Sequence, residues 1–64
     1  MTIVFKDFIS EYQRIDASFF PRVPVKGDSI ISEFIRYNAS YGKVFIVNNV
    51  IFNLDINEIW VYIS

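Results

Sequence analysis

The chain has 64 residues, of which 53% are hydrophobic, and six Lys and Arg stand against seven Asp and Glu with no Cys and no His. A chain of this length supports one small domain, which we expect to span residues 1–64. The missing residue types exclude disulfides, thiolate nucleophiles, imidazole bases and zinc sites built from Cys or His. We expect no metal and no cofactor.

The apolar residues are mostly of the kind that favours β-strands. Eleven Ile, seven Val, seven Phe and four Tyr stand against one Leu and two Ala. Branched and aromatic side chains crowd a helix and fit a pleated surface. The composition therefore predicts an all-β domain, or a β-rich α+β domain.

The N-terminal third is ambiguous between two periods. Alternation predicts a strand over Thr2–Phe8. A helical stripe also fits the sequence, and its members are Phe5, Phe8, Ile9, Tyr12 and Ile15. We prefer a strand followed by an irregular turn, and then a short extended piece around Phe19, because the residue before Pro21 is pushed out of the helical region.

The middle of the chain begins with a turn. Pro24 has no amide donor and Gly27-Asp28 is typical of turns, so residues 23–28 do not fit a central strand. Strand-like residues resume over Ser29–Tyr37, although the alternation there is imperfect. A single helical turn or a bulge within this segment remains open.

The C-terminal third predicts a hairpin. Its first strand is Val44–Phe52, in which the apolar parity switches at Asn48-Asn49, as one extra residue in a β-bulge would cause. Residues 53–57 are rich in turn formers. The second strand is Glu58–Ile63, with its branched aliphatic residues on one face and Trp60 and Tyr62 on the other. Together the elements predict a small, mostly antiparallel barrel.

The spacing also resembles that of a group of known proteins. The segments are Val23-Pro24-x-x-Gly27-Asp28-x-Ile30 and the alternating aliphatic residues from Gly42 to Ile63. They resemble small proteins of phages and prophages with an SH3-like β-barrel. The resemblance covers roughly the last 40 residues and assigns no site residue. It implies an SH3-like fold, a mobile-element origin and an accessory or anti-defence role.

The carboxylates and hydroxyls do not form a recognisable catalytic pattern. The seven acidic residues are scattered and lack the close spacing of a calcium loop. The serines have no G-x-S-x-G context and no His to act as their base. We therefore expect a protein that is not an enzyme.

Localisation follows from the lack of targeting segments. The first eight residues include Lys6 and Asp7 and do not have the long apolar stretch of a signal peptide. The uncharged run Val44–Leu54 is about half the roughly 20 residues of a membrane-spanning helix. We expect a cytoplasmic protein, in the host cytoplasm if it is phage-encoded, with no membrane partner.

Two surfaces remain as candidate sites. The first is aromatic and consists of Trp60, Tyr62, Phe19 and Phe20. These side chains either are covered by the N-terminal segment of the same chain or form a surface for self-association and for a host protein partner. Since an unpaired edge and an apolar face are what an oligomer buries, we favour the second account, in which a homo-oligomer binds and blocks a host protein.

The second candidate surface is a basic and aromatic rim. Its residues are Arg22, Lys26, Arg36, Tyr37, Tyr41 and Lys43. Small barrels bind nucleic acid by stacking bases on aromatic rings within a basic groove. A net charge of −1 disfavours long-range attraction of phosphate. A nucleotide-type ligand or single-stranded nucleic acid is therefore the alternative to a protein partner.

Overall fold

The computed structural model describes residues 1–31 and 44–64. Their strands are β1 Thr2–Lys6, β2 Glu11–Asp16, β3 Ser29–Ile31, β4 Val44–Asn53 and β5 Glu58–Ile63. The five strands form one sheet in the order β2-β1-β5-β4-β3, curled into a half-barrel. The prediction of an all-β fold is confirmed.

The sheet is mostly antiparallel, as the sequence predicted, and it contains one parallel pairing that the sequence did not predict. Three pairings are antiparallel, but β1 and β5 run parallel at the centre. The first and last strands are therefore neighbours, and the Thr2 amide donates to the Asn57 carbonyl at 3.2 Å. Local spacing could not reveal this pairing, because it joins residues more than fifty positions apart.

The predicted C-terminal hairpin is confirmed. Strands β4 and β5 are antiparallel, and their register shifts between Val47 and Asn49, where the sequence predicted a bulge. The connection contains Asn57 with a φ of 58°. Asn tolerates this left-handed conformation better than most residues, so the turn chemistry and the structure agree.

The core lies on the concave face of the sheet. Its fully buried members are Ile3, Phe5, Phe45, Val47, Ile59, Val61 and Ile63. Ile59, Val61 and Ile63 alternate with half-buried residues along β5, as the sequence predicted. The Phe20 ring packs against this core, with its centroid 5.8 Å from that of Phe5.

The N-terminal third contains a strand that the sequence did not predict. Strand β1 ends at Lys6, two residues before the predicted end, and β2 replaces the expected irregular turn. A register shift between Phe5 and Lys6 places Lys6 opposite Glu11 and Phe5 opposite Gln13, which leaves Tyr12 as an extra residue. This bulge breaks the alternation, and that is why the segment also fitted a helical stripe.

The segment around Phe19 is a turn of 3-10 helix, where the sequence predicted an extended piece. The turn spans Ala17–Phe19, and the Asp16 side chain accepts from the Ser18 amide at 2.9 Å. Extended backbone begins at Phe20, the residue immediately before Pro21. Pro21 therefore imposes extended backbone only on the residue immediately before it, Phe20.

The predicted turn before β3 is confirmed. Gly27 has a φ of 95°, its amide donates to the Val47 carbonyl at 2.8 Å, and the Val47 amide donates to the Asp28 carbonyl at 2.9 Å. The turn is thereby held against β4. Strand β3 confirms the start of the predicted strand Ser29–Tyr37, whose residues 32–37 lie outside the described part of the chain.

Candidate binding surfaces

The convex face of the sheet carries Trp60 and Tyr62 at its centre. Val4 lies between Arg14 and Trp60 in the strand register and is only 1% exposed, although it is not part of the concave core. The Lys6 ammonium lies 4.3 Å from the centre of the Trp60 ring and 5.7 Å from that of Tyr62. Long side chains of the same molecule therefore cover the middle of this face.

A charged network borders the Trp60 ring. The Trp60 indole nitrogen donates to Glu58 Oε1 at 2.9 Å, and Arg14 donates to Glu58 Oε2 at 2.7 Å. Arg14 also forms two hydrogen bonds with Glu11. The Trp60 hydrogen bond, followed by the Arg14 contact, lowers the pKa of Glu58, so this carboxylate is ionised at neutral pH.

Tyr62 is partly covered by the turn that follows β1. The Phe8 and Tyr62 ring centroids are 5.1 Å apart, with their planes tilted by 35°. Phe8 itself is 95% exposed, so most of its ring is open to a ligand or partner. Trp60 and Tyr62 are half-buried, and the cover comes from Lys6 and Phe8 of the N-terminal segment.

The other two predicted surface residues, Phe19 and Phe20, lie at the end of the 3-10 turn. Phe19 is 80% exposed, whereas its neighbour Phe20 packs on the core. A cleft of about 410 Å³ contains both Phe19 and Phe20 together with β2 residues 13–16. Phe20 therefore lies on the core side of the sheet and Trp60 on the convex side, whereas the cleft at Phe19 is also lined by Arg14, which belongs to the charged network beside Trp60.

Five of the twelve large apolar side chains that are exposed within residues 1–31 and 44–64 lie at the end of the sheet where β1 begins. The Met1 carbonyl accepts from the Ala17 amide, and the Asn57 carbonyl accepts from the Thr2 amide, so the 3-10 turn and the β4–β5 turn lie at this same end. The exposed residues there are Met1, Phe19, Phe52, Leu54 and Ile56. We call this group the apolar end. Leu54, at 76%, is its most exposed aliphatic residue.

Phe19 is the one member of the apolar end that was predicted from the sequence to lie on a binding surface. The other four members were not predicted. Phe52 lies on the same face of β4 as Val50, which packs against the core. Phe52 has the right parity, opposite Ile59, but is more than half exposed because it lies at the end of the sheet. The sequence feature that could have indicated this surface is an apolar residue within a predicted turn, such as Leu54.

The predicted basic rim is only partly visible. Arg36, Tyr37, Tyr41 and Lys43 lie outside the described residues. Arg22 is engaged by Asp28 through hydrogen bonds of 2.8 and 3.0 Å, and this pairing lowers the pKa of Asp28 to about 2. Arg22 and Lys26 line different clefts, so the described part of the rim is not one continuous groove.

Lys26 lines a cleft of about 520 Å³, which we call the bulge cleft. Its lining consists of Asp7, Phe8, Lys26, Asn48, Asn49, Tyr62, Ile63 and Ser64. The bulge of β4 provides the two Asn side chains, and the Gly27 hydrogen bond to Val47 places Lys26 beside them. The cleft thus combines a cation, two carboxamides and two aromatic rings.

The acidic side chain in the lining of the bulge cleft is Asp7, which forms hydrogen bonds within its own turn. Asp7 Oδ1 accepts from the amides of Ile9 and Ser10 at 2.7 Å each, and Oδ2 accepts from the Tyr12 hydroxyl. The Tyr12 hydrogen bond is the main cause of a lowered pKa at Asp7. Asp7 therefore stays ionised and stabilises the turn that presents Phe8.

The described residues include several groups that can bind a ligand or a partner. In residues 1–31 and 44–64, no three acidic side chains are grouped so that they could hold a metal ion. Each arginine there is paired with a carboxylate. Exposed rings, carboxamides and a lysine are groups that recognise partners and ligands.

No helix within the described ranges is long and apolar enough to cross a membrane. Comparison of the chain with protein-family models, with curated proteins and with solved structures gave no match.

Proposed function

We propose that this chain is a non-catalytic interaction protein that associates with copies of itself through the apolar end. The observation that carries the proposal is the clustering of Met1, Phe19, Phe52, Leu54 and Ile56, all exposed, at one end of the sheet. Several large apolar side chains exposed at one end of a small domain are typical of an interaction site.

A second copy of the chain suits this surface. Phe52 and Leu54 belong to the uncharged segment Val44–Leu54. Asp55 follows directly, so the interface between two copies must leave its carboxylate exposed at the rim. A stable interface buries about 800 Å² per partner, which is close to a fifth of the 4340 Å² surface of the chain. The apolar end is a small fraction of the molecule, and we therefore expect a concentration-dependent assembly.

We extend the proposal to a host protein as the biological partner. The resemblance to phage-encoded barrels supports a role in the host cytoplasm, in which this protein blocks its partner by occupying a surface. Aromatic side chains are enriched at protein interfaces, and Phe52 and Phe19 are the aromatic residues available at the apolar end.

Sedimentation velocity and native mass spectrometry over a range of protein concentrations test self-association. Leu54→Ser should shift the population to monomer, because it removes apolar contact area from the apolar end. Ile9→Ser is the matched control, since Ile9 is 93% exposed but lies in the turn after β1, at the opposite end of the sheet.

The outcomes are distinct. Assembly that is lost in Leu54→Ser, kept in Ile9→Ser and not weakened by about 0.5 M salt supports an apolar interface. A wild-type chain that stays monomeric at all concentrations contradicts self-association. Equal loss in both variants contradicts the location of the interface.

A further inference from the structure

We propose that the bulge cleft binds a nucleoside monophosphate, either free or as a unit of a single strand, with the base on Phe8 and the phosphate at Lys26. The site lies at the end of the sheet opposite the apolar end. The inference therefore does not depend on self-association.

Phe8 provides the aromatic surface of the proposed site. Its ring is braced from one side by Tyr62 at 5.1 Å, yet the residue is 95% exposed. A large apolar ring held at the mouth of a cleft, with its other side open, is a stacking platform for a planar ligand. The hydrogen bonds of Asp7 to Ile9 and Ser10 fix the turn that holds this ring.

Lys26 provides the positive charge that would hold the phosphate of the ligand. Among the four cationic side chains in the described ranges, Lys6 lies over Trp60, and Arg14 and Arg22 are paired with carboxylates. Lys26 has no such partner among those residues. Asp7 lines the same cleft and keeps its negative charge, but its hydrogen bonds with Tyr12 and with the turn amides hold its carboxylate within its own turn. Lys26 is thus available for a phosphate group.

The bulge of β4 provides the hydrogen-bonding groups of the proposed site, which are the side chains of Asn48 and Asn49. Asn49 Oδ1 accepts from the Val50 amide at 3.0 Å, which leaves the amino group of its carboxamide as a donor. Asn48 adds a second carboxamide, which can donate and accept. A nucleobase offers donors and acceptors along its edge, whereas a simple aromatic acid does not. The volume of about 520 Å³ is in the range of small-molecule sites.

The test is titration of the 15N-labelled full chain with AMP, CMP, inorganic phosphate and an eight-nucleotide oligo(dT), followed by chemical shifts and calorimetry. We expect AMP and CMP to shift the amide signals of Phe8, Lys26, Asn48 and Asn49. Lys26→Gln should weaken AMP binding about tenfold, because it removes a charge-assisted hydrogen bond. Phe8→Ser should weaken it about fivefold or more.

Reciprocal controls separate this site from the apolar end. Leu54→Ser should bind AMP like the wild type, and Lys26→Gln should self-associate like the wild type. All three substituted positions are exposed, so the variants should fold. Tighter binding of oligo(dT) than of AMP identifies a strand as the source of the nucleotide, and the reverse identifies a free nucleotide.

Three results overturn the inference. The first is that neither AMP nor oligo(dT) shifts the cleft signals. The second is that inorganic phosphate binds as tightly as AMP, which removes the role of Phe8. The third is that Lys26→Gln and Phe8→Ser bind AMP like the wild type.

Discussion

The Lys6 ammonium lies 4.3 Å from the centre of the Trp60 ring, across the parallel pairing of β1 and β5. The register places Lys6 directly opposite Tyr62, so its side chain reaches back along β5 to the neighbouring aromatic residue. A cation over an indole face is attracted by the ring quadrupole. This contact joins the first strand of the chain to the last.

Replacing Lys6 with Met should therefore destabilise the protein. Lys6→Met keeps an apolar stem over the rings but removes the charge, and the expected loss is about 0.5–1 kcal/mol of the free energy of unfolding. Urea denaturation followed by Trp60 fluorescence measures it. Lys26→Met is the control, because an exposed lysine outside such a contact should change stability by less than about 0.5 kcal/mol. Equal losses in both variants would argue against a specific Lys6–Trp60 contact.

Val4 should behave as a core residue although it lies on the convex face. Its side chain is as buried as those of the concave core. Val4→Ala removes two carbon atoms, which costs at least about 1.6 kcal/mol by transfer free energy before any cavity is counted. Val25→Ala, at a position more than half exposed, is the matched control. Thermal or urea unfolding of both variants checks the prediction, and similar stabilities would mean that the cover over Val4 is not formed in solution.

Gly27 should tolerate substitution poorly for conformational reasons. Its φ is 95°, and a Cβ atom built there would meet nothing within 4 Å, so the cost is backbone strain and not a clash. Gly27→Ala should lower stability by about 1–2 kcal/mol, and Gly27→Asn by less, because Asn visits positive φ more readily. Equilibrium unfolding of both variants is the measurement. A larger loss for Asn than for Ala would show that space, and not strain, limits this position.

The Arg22–Asp28 ion pair should make stability depend on acidity. The hydrogen bonds from Arg22, followed by the one from the Val25 amide, lower the pKa of Asp28 from its ordinary 3.8 to about 2. A carboxylate with a lowered folded-state pKa stabilises the fold above its unfolded pKa. This contribution is complete above about pH 5 and is lost as the pH falls through 4 towards 2.

Asp28→Asn tests this pH dependence. The variant should be less stable than the wild type at pH 7, and the difference should shrink between pH 4 and pH 2, as measured by urea unfolding at each pH. Asp55→Asn, in the exposed turn before β5, is the control for the loss of one negative charge, and it should change the stability at pH 7 by less than about 0.5 kcal/mol. A difference between wild type and Asp28→Asn that is constant with pH would contradict the role of the charge.

Much of the strand content was predictable because it depends on local alternation. The residues of β5 alternate between branched aliphatic and polar or aromatic side chains, and the bulge at Asn48-Asn49 shifts the parity of the apolar residues around it. Gly27 and Asn57 marked turns because few other residues accept a positive φ. The alternation, the bulge and the turns each depend on neighbouring residues, so they can be recognised directly in the sequence.

The candidate sites were less predictable, because they assemble from distant segments. The bulge cleft joins Phe8 from the first turn, Lys26 from the second and Asn48 from β4, and the spacing of these residues contains no signal for their proximity. Phe20 and Trp60 were expected to share a surface, but Phe20 packs on the core whereas Trp60 lies on the convex face.

The sequence alone determined that the chain is rich in β-strands, lacks Cys and His chemistry, and ends in a bulged hairpin, since composition and alternation act over a few residues. Only the tertiary structure decided that β1 lies beside β5, that Lys6 and Phe8 cover Trp60 and Tyr62, and that apolar side chains gather at one end. Strand order and register depend on contacts between residues far apart in the chain, and their free energies come from packing that no short segment contains.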